Sequence, residues 1–327
     1  MSELRRVGIY TSGGDAPGMN ACVRAVTRTL QVEELEIVGI RRGYAGMIEG
    51  DFVEVDGQSV SNILQKGGTI LKSARSKRFQ TPEGRAVAAE QLRKADIDAL
   101  VGIGGDGTLR GAHLMRQEHG TRIVGCPGTI DNNLFGTDET IGFDTALNTA
   151  IENIDRIRDT ADAHDRLFLV EVMGADSGFI ALNCAIGGGA EMVLIPEFES
   201  DVLHIKNRIH SLMSAQSRSS IVVVAEGEGL GGAPAIADAL GSDRAFDHID
   251  IRVCILGHTQ RGGPPSARDR VLASRLGTGA VKALLDGFDD VMVGVVDGDV
   301  KYTPLSEVTS RKKDINYELL KLAQMLS

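Results

Sequence analysis

Short apolar runs alternate with longer amphipathic stretches along nearly the whole chain, and this alternation constrains the fold more than any other feature. Short apolar runs are typical of buried strands, and apolar residues three and four positions apart are typical of helices. The strand candidates are Val7–Thr11, Leu35–Ile40, Ala99–Ile103, Ile123–Cys126, Leu167–Val172, Met192–Ile195, Ile221–Ala225, Arg252–Leu256 and Val291–Val296. The helix candidates are Met19–Leu30, Glu83–Arg93, Leu109–Glu118, Asp144–Arg158, Phe179–Ile186, His204–Ser214, Ala233–Leu240 and Ala267–Leu285. Strands that alternate with helices predict βα units and an α/β fold with mostly parallel sheets.

Glycine-rich segments lie at the ends of three strand candidates. They are Ser12–Gly14, Gly104–Gly107 and Gly262–Gly263, and glycine contributes 40 of the 327 residues, well above the average of about 7%. Open α/β sheets bind ligands at the carboxyl ends of their strands, so these segments are candidate binding turns. A chain of this length is expected to form about two domains.

The charge balance limits the classes of partner. The formal net charge is −10, which argues against nucleic acid and anionic membranes as partners, so a phosphorylated ligand must be held by local groups. We see no signal-like or membrane-spanning segment, and we predict a cytoplasmic protein. The cysteines, Cys22, Cys126, Cys184 and Cys254, are far apart and are expected to be inert thiols in a reducing compartment.

Two glycine motifs are candidate phosphate sites. In Val101–Thr108 a strand ends in glycines, a carboxylate follows, and a helix is expected to begin after Thr108. Backbone amides there would hold phosphates, and Asp106 is a candidate Mg²⁺ ligand. Its spacing is neither that of a P-loop nor that of a dinucleotide fold, and a helix-capping aspartate explains it equally well. In Tyr10–Asn20 a strand likewise runs into a glycine turn before a helix. This segment is either a second candidate phosphate site or a plain strand-to-helix turn.

Two further motifs bring acid–base and basic groups. In Pro127–Asn133, Asp131 is a candidate base for an attacking alcohol and Thr129 a candidate ligand of a phosphoryl oxygen, although an Asx turn would explain the segment too. In Ile255–Gly263 and its surroundings, basic side chains form a candidate site for an anionic group such as a sugar phosphate, and Glu226 suits sugar hydroxyls. These basic residues are Arg166, Arg252, His258 and Arg261.

Taken together, these motifs closely resemble those of the phosphofructokinases. The matching segments are T-S-G-G-D-A-P-G-M-N (11–20), G-G-D-G-T (104–108), P-G-T-I-D-N (127–132), E-V-M-G (171–174) and L-G-H-T-Q-R-G-G (256–263). The resemblance runs from about Val7 to Leu276 in the family's order and spacing. It implies Mg-ATP-dependent phosphorylation of fructose 6-phosphate at its 1-hydroxyl, by a homotetramer of subunits with two Rossmann-like, three-layer domains. The implied nucleotide-binding domain comprises residues 1–140 with 257–305, and the sugar-phosphate domain 141–256 with 306–327.

The resemblance also implies roles for individual residues. Asp131 would be the catalytic base, Thr129 would contact the transferring group, and Asp106 would lie towards Mg²⁺. The nucleotide site would comprise Gly14, Arg75, Ser76, Gly105, Asp106, Gly107 and Thr108. The sugar phosphate would be bound by Thr129, Ile130, Asp131, Arg166, Met173, Gly174, Ala175, Glu226, Arg252, His258, Thr259, Gln260 and Arg261. In the family, the residues at the positions of Arg166 and Arg252 come from the neighbouring subunit, so active sites would be shared.

This chain departs from the family pattern at the reaction centre. The family reads T-I-D-N-D and M-G-R, where this chain has Asn133 and Ala175, so a carboxylate and a guanidinium are missing. Lys72, where many relatives have glycine, either supplies substitute charge or is a solvated surface lysine. The resemblance also implies an effector pocket, in which Arg24, Arg28, Arg158 and Glu191 match the family pattern. Basic contacts of that pocket are missing at three positions, Gly57, Ala215 and Ser217.

Three functions therefore stay open. The first is an active ATP-dependent 6-phosphofructokinase. The second is a catalytically impaired relative that serves as a ligand-binding regulatory subunit. The third is a pyrophosphate-dependent phosphotransferase, but such relatives commonly carry aspartate at position 107 and lysine at position 128. Gly107 and Gly128 leave room for a nucleotide and favour ATP.

Overall fold

A computed structural model describes residues 4–163, 166–214 and 220–326. The chain divides into two compact units. The first comprises residues 1–130, 134–145 and 261–313, and the second comprises 131–133, 146–260 and 314–327. Relative to the boundaries expected from the sequence, residues 131–133 and 257–260 lie with the second unit, and residues 141–145 and 306–313 lie with the first. Residues 306–313, for example, lie with the first unit because Leu305 and Val308 are buried in its core.

The first unit is built on a seven-stranded sheet. Its strands are β1 (Arg6–Ser12), β2 (Glu36–Ile40), β3 (Phe52–Glu54), β4 (Ala99–Gly104), β5 (Arg122–Pro127), β10 (Val291–Val296) and β11 (Asp299–Pro304). They are ordered β11-β10-β5-β4-β1-β2-β3. The five central strands are parallel and the two edge strands are antiparallel. This arrangement confirms the predicted α/β class with a mostly parallel sheet.

Helices cover both faces of that sheet. They are α1 (Met19–Val32), α2 (Gly43–Glu49), α3 (Pro82–Lys94), α4 (Asp106–His119), α9 (Ala267–Leu285) and α10 (Leu305–Ser310). Helices α1 and α9 pack together, while α2, α3, α4 and α10 enclose a core around Tyr10, Tyr44 and Phe79. The ring of Tyr44 stacks on that of Phe79 and its hydroxyl donates to the carbonyl of Thr108. The buried core therefore supports the first turn of α4 directly.

The second unit has a smaller, fully parallel sheet. Its strands are β6 (Arg166–Val172), β7 (Met192–Leu194), β8 (Ser220–Ala225) and β9 (Asp250–Ile255), in the order β7-β8-β6-β9. Its helices are α5 (Phe143–Asp162), whose first three residues still belong to the first unit, α6 (Phe179–Gly187), α7 (Val202–Ser214), α8 (Gly232–Gly241) and α11 (Tyr317–Leu326). Helices α7 and α8 bury one face against strands β6 and β8, and α6 packs on β8 and α11. Strand β9 is left as an edge.

Candidate active site

Three strand ends meet in the first unit. Ser12 at the end of β1 lies in register with Gly104 at the end of β4. The Thr108 hydroxyl donates to the Ser12 carbonyl over 3.1 Å. The amide of Gly128, just after β5, donates to the Gly104 carbonyl over 2.9 Å. A Cβ on Gly104 would lie 2.4 Å from the Thr108 hydroxyl oxygen, so only glycine fits there. The three strand ends at which the predicted motifs begin thus meet within this unit, as far as Ile130, whereas Asp131 lies in the second unit.

The carboxylate of Asp106 lies in the first turn of α4. This helix begins at Asp106 and not after Thr108 as the sequence suggested, because Gly105 already serves as its N-cap. The Asp106 side chain is exposed, and its Oδ2 lies 3.2 Å from Arg110. Gly107 has no heavy atom within 4 Å of a hypothetical Cβ. A helix N-terminus, an exposed carboxylate and open space together form a surface suited to phosphates.

The loop after β5 carries Thr129 and Ile130. Thr129 is 6% exposed and its carbonyl accepts a 2.6 Å hydrogen bond from the Thr140 hydroxyl. A Cβ built on Gly105 would lie 3.4 Å from the Thr129 Cβ, which places this residue beside the amides of the α4 turn. Ile130 is fully buried, so its side chain serves packing, and only its backbone is available to a substrate.

Residues 131–133 belong to the second unit. The Asp131 carbonyl accepts a 3.3 Å hydrogen bond from the Ser177 hydroxyl, and Asp131 itself is half-buried. Asn132 is buried with a positive φ of 53°, and Asn133 is half-buried. The positive φ reverses the chain between Asp131 and Asn133, which is a backbone conformation that asparagine tolerates better than most residues.

The turn after β6 is held by Glu226. Its Oε1 accepts hydrogen bonds from the Gly174 amide at 3.3 Å and from the Ala175 amide at 2.7 Å. Met173 is buried, whereas Ala175 is exposed at a positive φ of 53°. Glu226 was predicted to bind sugar hydroxyls. Its Oε1 is occupied by the turn, and Oε2 has no hydrogen bond within the described residues, so the carboxylate has one oxygen available for a hydroxyl.

Two predicted arginines share one carboxylate. The Nε atoms of Arg166 on β6 and Arg252 on β9 both lie 2.8 Å from Asp250. The hydrogen bond from Arg166, followed by that from Arg252, holds the pKa of Asp250 below its ordinary value. Because one negative charge faces two positive ones, the cluster keeps a net positive charge beside the edge strand. Asp250 is a partner that the sequence reasoning did not identify, although it is two residues from Arg252 on the same strand.

The segment His258–Arg261 divides between the two units. His258 and Thr259 are exposed in a short 3₁₀ helix, Gly257–Arg261, and the Thr259 hydroxyl donates to the Leu256 carbonyl. Gln260, a predicted substrate contact, is fully buried, and its Nε2 donates to the Gly257 carbonyl. Arg261 belongs to the first unit, where its guanidinium donates to the Asp15 carbonyl and lies over Gly14.

The predicted nucleotide residues on the 66–80 segment are Arg75 and Ser76. Arg75 is exposed, while the Ser76 hydroxyl is half-buried and accepts a hydrogen bond from the Phe79 amide over 3.3 Å. Lys72 has a positive φ of 55°, and its carbonyl accepts a hydrogen bond from the Thr11 hydroxyl. Its backbone therefore keeps the conformation that favours glycine, while its side chain is exposed.

The predicted effector residues form separate pairs in each unit. On α1, the Arg28 guanidinium donates to the Gly57 carbonyl, and Arg24 lies one turn earlier. In the second unit, Arg158 pairs with Glu191 at 3.1 Å and donates to the carbonyls of Gly188 and Gly189. Ala215 and Ser217, where basic effector contacts are missing, lie outside the described residues.

No cluster in the described part of the chain resembles a dedicated metal site or a membrane anchor. Within residues 4–163, 166–214 and 220–326, no group of three His, Cys, Asp or Glu side chains is placed to hold a metal ion. Over the same residues, no helix has the length and apolar character needed to cross a membrane. The four cysteines are free, and burial raises the pKa of Cys184 to about 12.

Comparisons with known proteins establish the family of this chain. The family model for phosphofructokinase matches residues 6–284. The chain is 54% identical to ATP-dependent 6-phosphofructokinase 1 of Thermus thermophilus, over 99% of this chain and 100% of that protein. It is also 54% identical to the ATP-dependent 6-phosphofructokinase of Cytophaga hutchinsonii, over 99% of this chain and 98% of that protein. The solved phosphofructokinase of Saccharomyces cerevisiae superposes with a TM-score of 0.85 at 35% identity, covering 98% of this chain and 46% of that longer one. The chain belongs to the phosphofructokinase family.

Proposed function

We propose that this protein is an ATP-dependent 6-phosphofructokinase, which transfers the γ-phosphoryl group of ATP to the 1-hydroxyl of fructose 6-phosphate. The observation that carries the proposal is the joined set of glycine turns after β1, β4 and β5, which leads directly into Asp131. The full-length identity of 54% to a protein named for this activity supports it. Of the readings weighed from the sequence, it is the one that these relatives favour.

The α4 turn is suited to the nucleotide. Gly105 and Gly107 offer amides at a helix N-terminus, Thr108 closes the turn by donating its own amide to the Gly105 carbonyl, and Arg75 adds an exposed positive charge. Mg²⁺ usually keeps several water molecules and binds proteins through one or two carboxylates together with substrate phosphates. The single exposed carboxylate of Asp106 fits that mode, in which the ion would neutralise charge on the phosphates. A cage made only of protein ligands is not needed.

The chemistry assigned to this chain is proton transfer and positioning. Asp131 takes the proton of the sugar 1-hydroxyl. As this proton leaves, the hydroxyl oxygen forms a bond to the γ-phosphorus of ATP, and the bond between that phosphorus and the β,γ-bridging oxygen breaks. Thr129, beside the α4 amides, donates its hydroxyl to a phosphoryl oxygen. The products are fructose 1,6-bisphosphate and ADP. Asn133 and Ala175 replace charged groups of the family, so turnover is expected to be slower than in relatives that retain them.

The sugar phosphate is assigned to the basic groups of the second unit. Arg166 and Arg252 keep a net positive charge around Asp250, and His258 is exposed nearby in sequence. Glu226 has one carboxylate oxygen available for a sugar hydroxyl. We assign Arg166 and Arg252 to the site of a neighbouring subunit in a homotetramer, and we place the enzyme in the cytoplasm.

Pyrophosphate is a poorer fit than ATP as phosphoryl donor. A lysine Cβ at position 128 would lie 2.9 Å from a methyl group of Ile103 and 3.2 Å from the Met19 methyl group, so the basic residue typical of pyrophosphate relatives is sterically opposed. A purified sample assayed with fructose 6-phosphate and either donor tests the proposal. We expect turnover with ATP and at least about 100-fold less with pyrophosphate. Binding of both substrates without turnover would instead favour the regulatory-subunit alternative.

Regulation at the effector residues is part of the proposal. The charge of Arg158 is compensated by Glu191, and the Arg28 guanidinium donates to the Gly57 carbonyl. A phosphorylated effector must therefore displace existing bonds. Because the effector pocket has fewer basic contacts than the family pattern, we expect the activity to respond weakly to nucleoside diphosphate and phosphoenolpyruvate.

A further inference from the structure

Ser177 occupies a central position in the second unit, and the motifs that identify the family do not include it. Its side chain is 5% exposed. Its hydroxyl donates to the Gly174 carbonyl over 2.7 Å and lies 3.3 Å from the Asp131 carbonyl. One hydroxyl proton therefore serves two carbonyl groups, one in the turn after β6 and one on the residue assigned as the base.

The turn that carries Ser177 is itself fixed from several sides. The Ser177 amide donates to the Gly174 carbonyl and closes the turn. The Glu226 carboxylate holds the amides of Gly174 and Ala175, and a Cβ on Gly227 would lie 2.1 Å from the Ala175 carbonyl oxygen. The following residue, Gly178, donates its amide to Glu197. Ser177 thus projects from a turn that has little freedom to move.

We propose that Ser177 is a positioning residue that sets the location of Asp131 relative to the substrate-binding turn at residues 173–175. The inference rests on the proposed function, in which Asp131 removes the proton of the sugar hydroxyl. A base that is displaced by about 1 Å can lose up to about 100-fold in rate while ground-state binding is retained. The hydroxyl acts on the backbone of Asp131, so it affects where the carboxylate sits and not how it ionises.

The test compares Ser177→Ala with a matched control in the full-length enzyme. Ser274→Ala removes a hydroxyl that donates to the Arg270 carbonyl over 2.8 Å inside α9, so it costs a similar bond away from the site. For Ser177→Ala we expect kcat to fall by about 10- to 100-fold with KM for fructose 6-phosphate within about 2-fold, and Ser274→Ala to keep both values. Ser177→Cys, a weaker donor of similar size, should be intermediate.

A second readout does not depend on catalysis. In hydrogen–deuterium exchange, amides of residues 128–134 should exchange at least about 5-fold faster in Ser177→Ala than in the parent protein, with other changes confined to the turn at residues 174–177, which loses the same hydroxyl. Unchanged exchange in that segment overturns the proposal, as does a normal kcat or a general rise in exchange with a lower melting temperature. If the parent protein does not phosphorylate fructose 6-phosphate at all, the proposed function fails, and the exchange result still decides whether Ser177 holds the Asp131 segment.

Discussion

Asp131 is the residue on which the proposed chemistry depends most. Asp131→Asn keeps the size and hydrogen-bonding capacity of the side chain but removes its basicity, so kcat should fall by about 10²- to 10⁴-fold. The KM for fructose 6-phosphate should change little, because a general base acts on the transition state and contributes little to ground-state binding. Steady-state kinetics with saturating ATP measure both constants. Full activity in the variant would remove Asp131 from the role of base.

Substitutions at Asn133 and Ala175 that restore the charges of the family pattern test whether the missing charges limit the rate. Both residues lie in the second unit, and Ala175 already has a positive φ of 53°, so arginine adds no new backbone strain there. Asn133→Asp and Ala175→Arg together should raise kcat by more than the product of the two single effects. Both groups would act on one developing charge, and their effects should be coupled. The measurement is a double-mutant cycle in kcat.

Lys72 is the alternative to a loss of charge at the reaction centre, because its side chain could substitute for the missing guanidinium. Its side chain is exposed and its carbonyl is fixed by Thr11, so Lys72→Ala removes the charge without disturbing the bond. If Lys72 substitutes for the missing guanidinium, Lys72→Ala should cripple a parent enzyme that is fast, and Ala175→Arg should rescue it. A fast parent that is indifferent to Lys72 and to both restorations would contradict both explanations.

At the scale of elements, the ion pair between α3 and α4 is the contact most open to test. Arg85, 6% exposed at its side chain, donates to both carboxylate oxygens of Glu118 at 2.6 and 2.7 Å. Glu118→Gln should lower the free energy of unfolding by about 1–2 kcal/mol, because it leaves a buried guanidinium poorly compensated while Glu118 itself is partly screened by solvent. Glu90→Gln in the exposed pair with Arg93 is the control and should cost less than about 0.5 kcal/mol.

The same pair has a pH signature with a definite sign. The hydrogen bond from Arg85 lowers the pKa of Glu118 below its ordinary value of 4.5. A depressed carboxyl pKa contributes stability that is fully present above the ordinary value and is lost as the pH falls through the folded-state value. Chemical denaturation at pH 7 and at progressively lower pH below 4.5 should show the gap between the parent protein and Glu118→Gln closing. A gap that stays constant would assign the loss to packing.

Which elements could be predicted depends on how each one is stabilised. Strand β10 and helix α9 were predicted with the observed bounds because their apolar patterns are continuous. The prediction missed β3, a three-residue strand, and β11, an antiparallel edge that only its pairing with β10 defines. It also missed α2, which begins after Arg42 at a positive φ and contains glycines, so local propensity argues against it. Tertiary packing decides such elements.

At the scale of the whole molecule, the sequence identified residues better than their contacts. Asp131, Thr129 and the glycine turns could be located from strand ends, because parallel sheets place those ends together. The sequence could not predict the burial of Gln260, the hydrogen bonds of Glu226 to the turn at residues 174–175, or the contacts of the Ser177 hydroxyl. Each depends on contacts between residues distant in sequence or on which face a short helix buries. The role of Asp250 depends on strand register, which places it opposite Arg166.

The proposed sharing of active sites between subunits can be tested only in the assembled oligomer. Arg252→Ala should mainly raise KM for fructose 6-phosphate, and Asp131→Asn should mainly remove turnover. If Arg252 serves the neighbouring subunit, subunits of these two variants mixed in equal amounts and reassembled should recover activity. Across a two-fold interface, about a quarter of the sites would then combine an intact Asp131 with an intact Arg252.

Assays at a fructose 6-phosphate concentration well below the KM of Arg252→Ala measure this recovery, because neither variant alone turns over there. Each variant taken alone through the same dissociation and reassembly is the control, and size-exclusion chromatography establishes that mixed oligomers form. Recovery near a quarter of parental activity requires Arg252 to act across the interface. Mixed oligomers that stay inactive would place Arg252 in the site of its own subunit, where its charge and that of Arg166 would face the same sugar phosphate as Asp131.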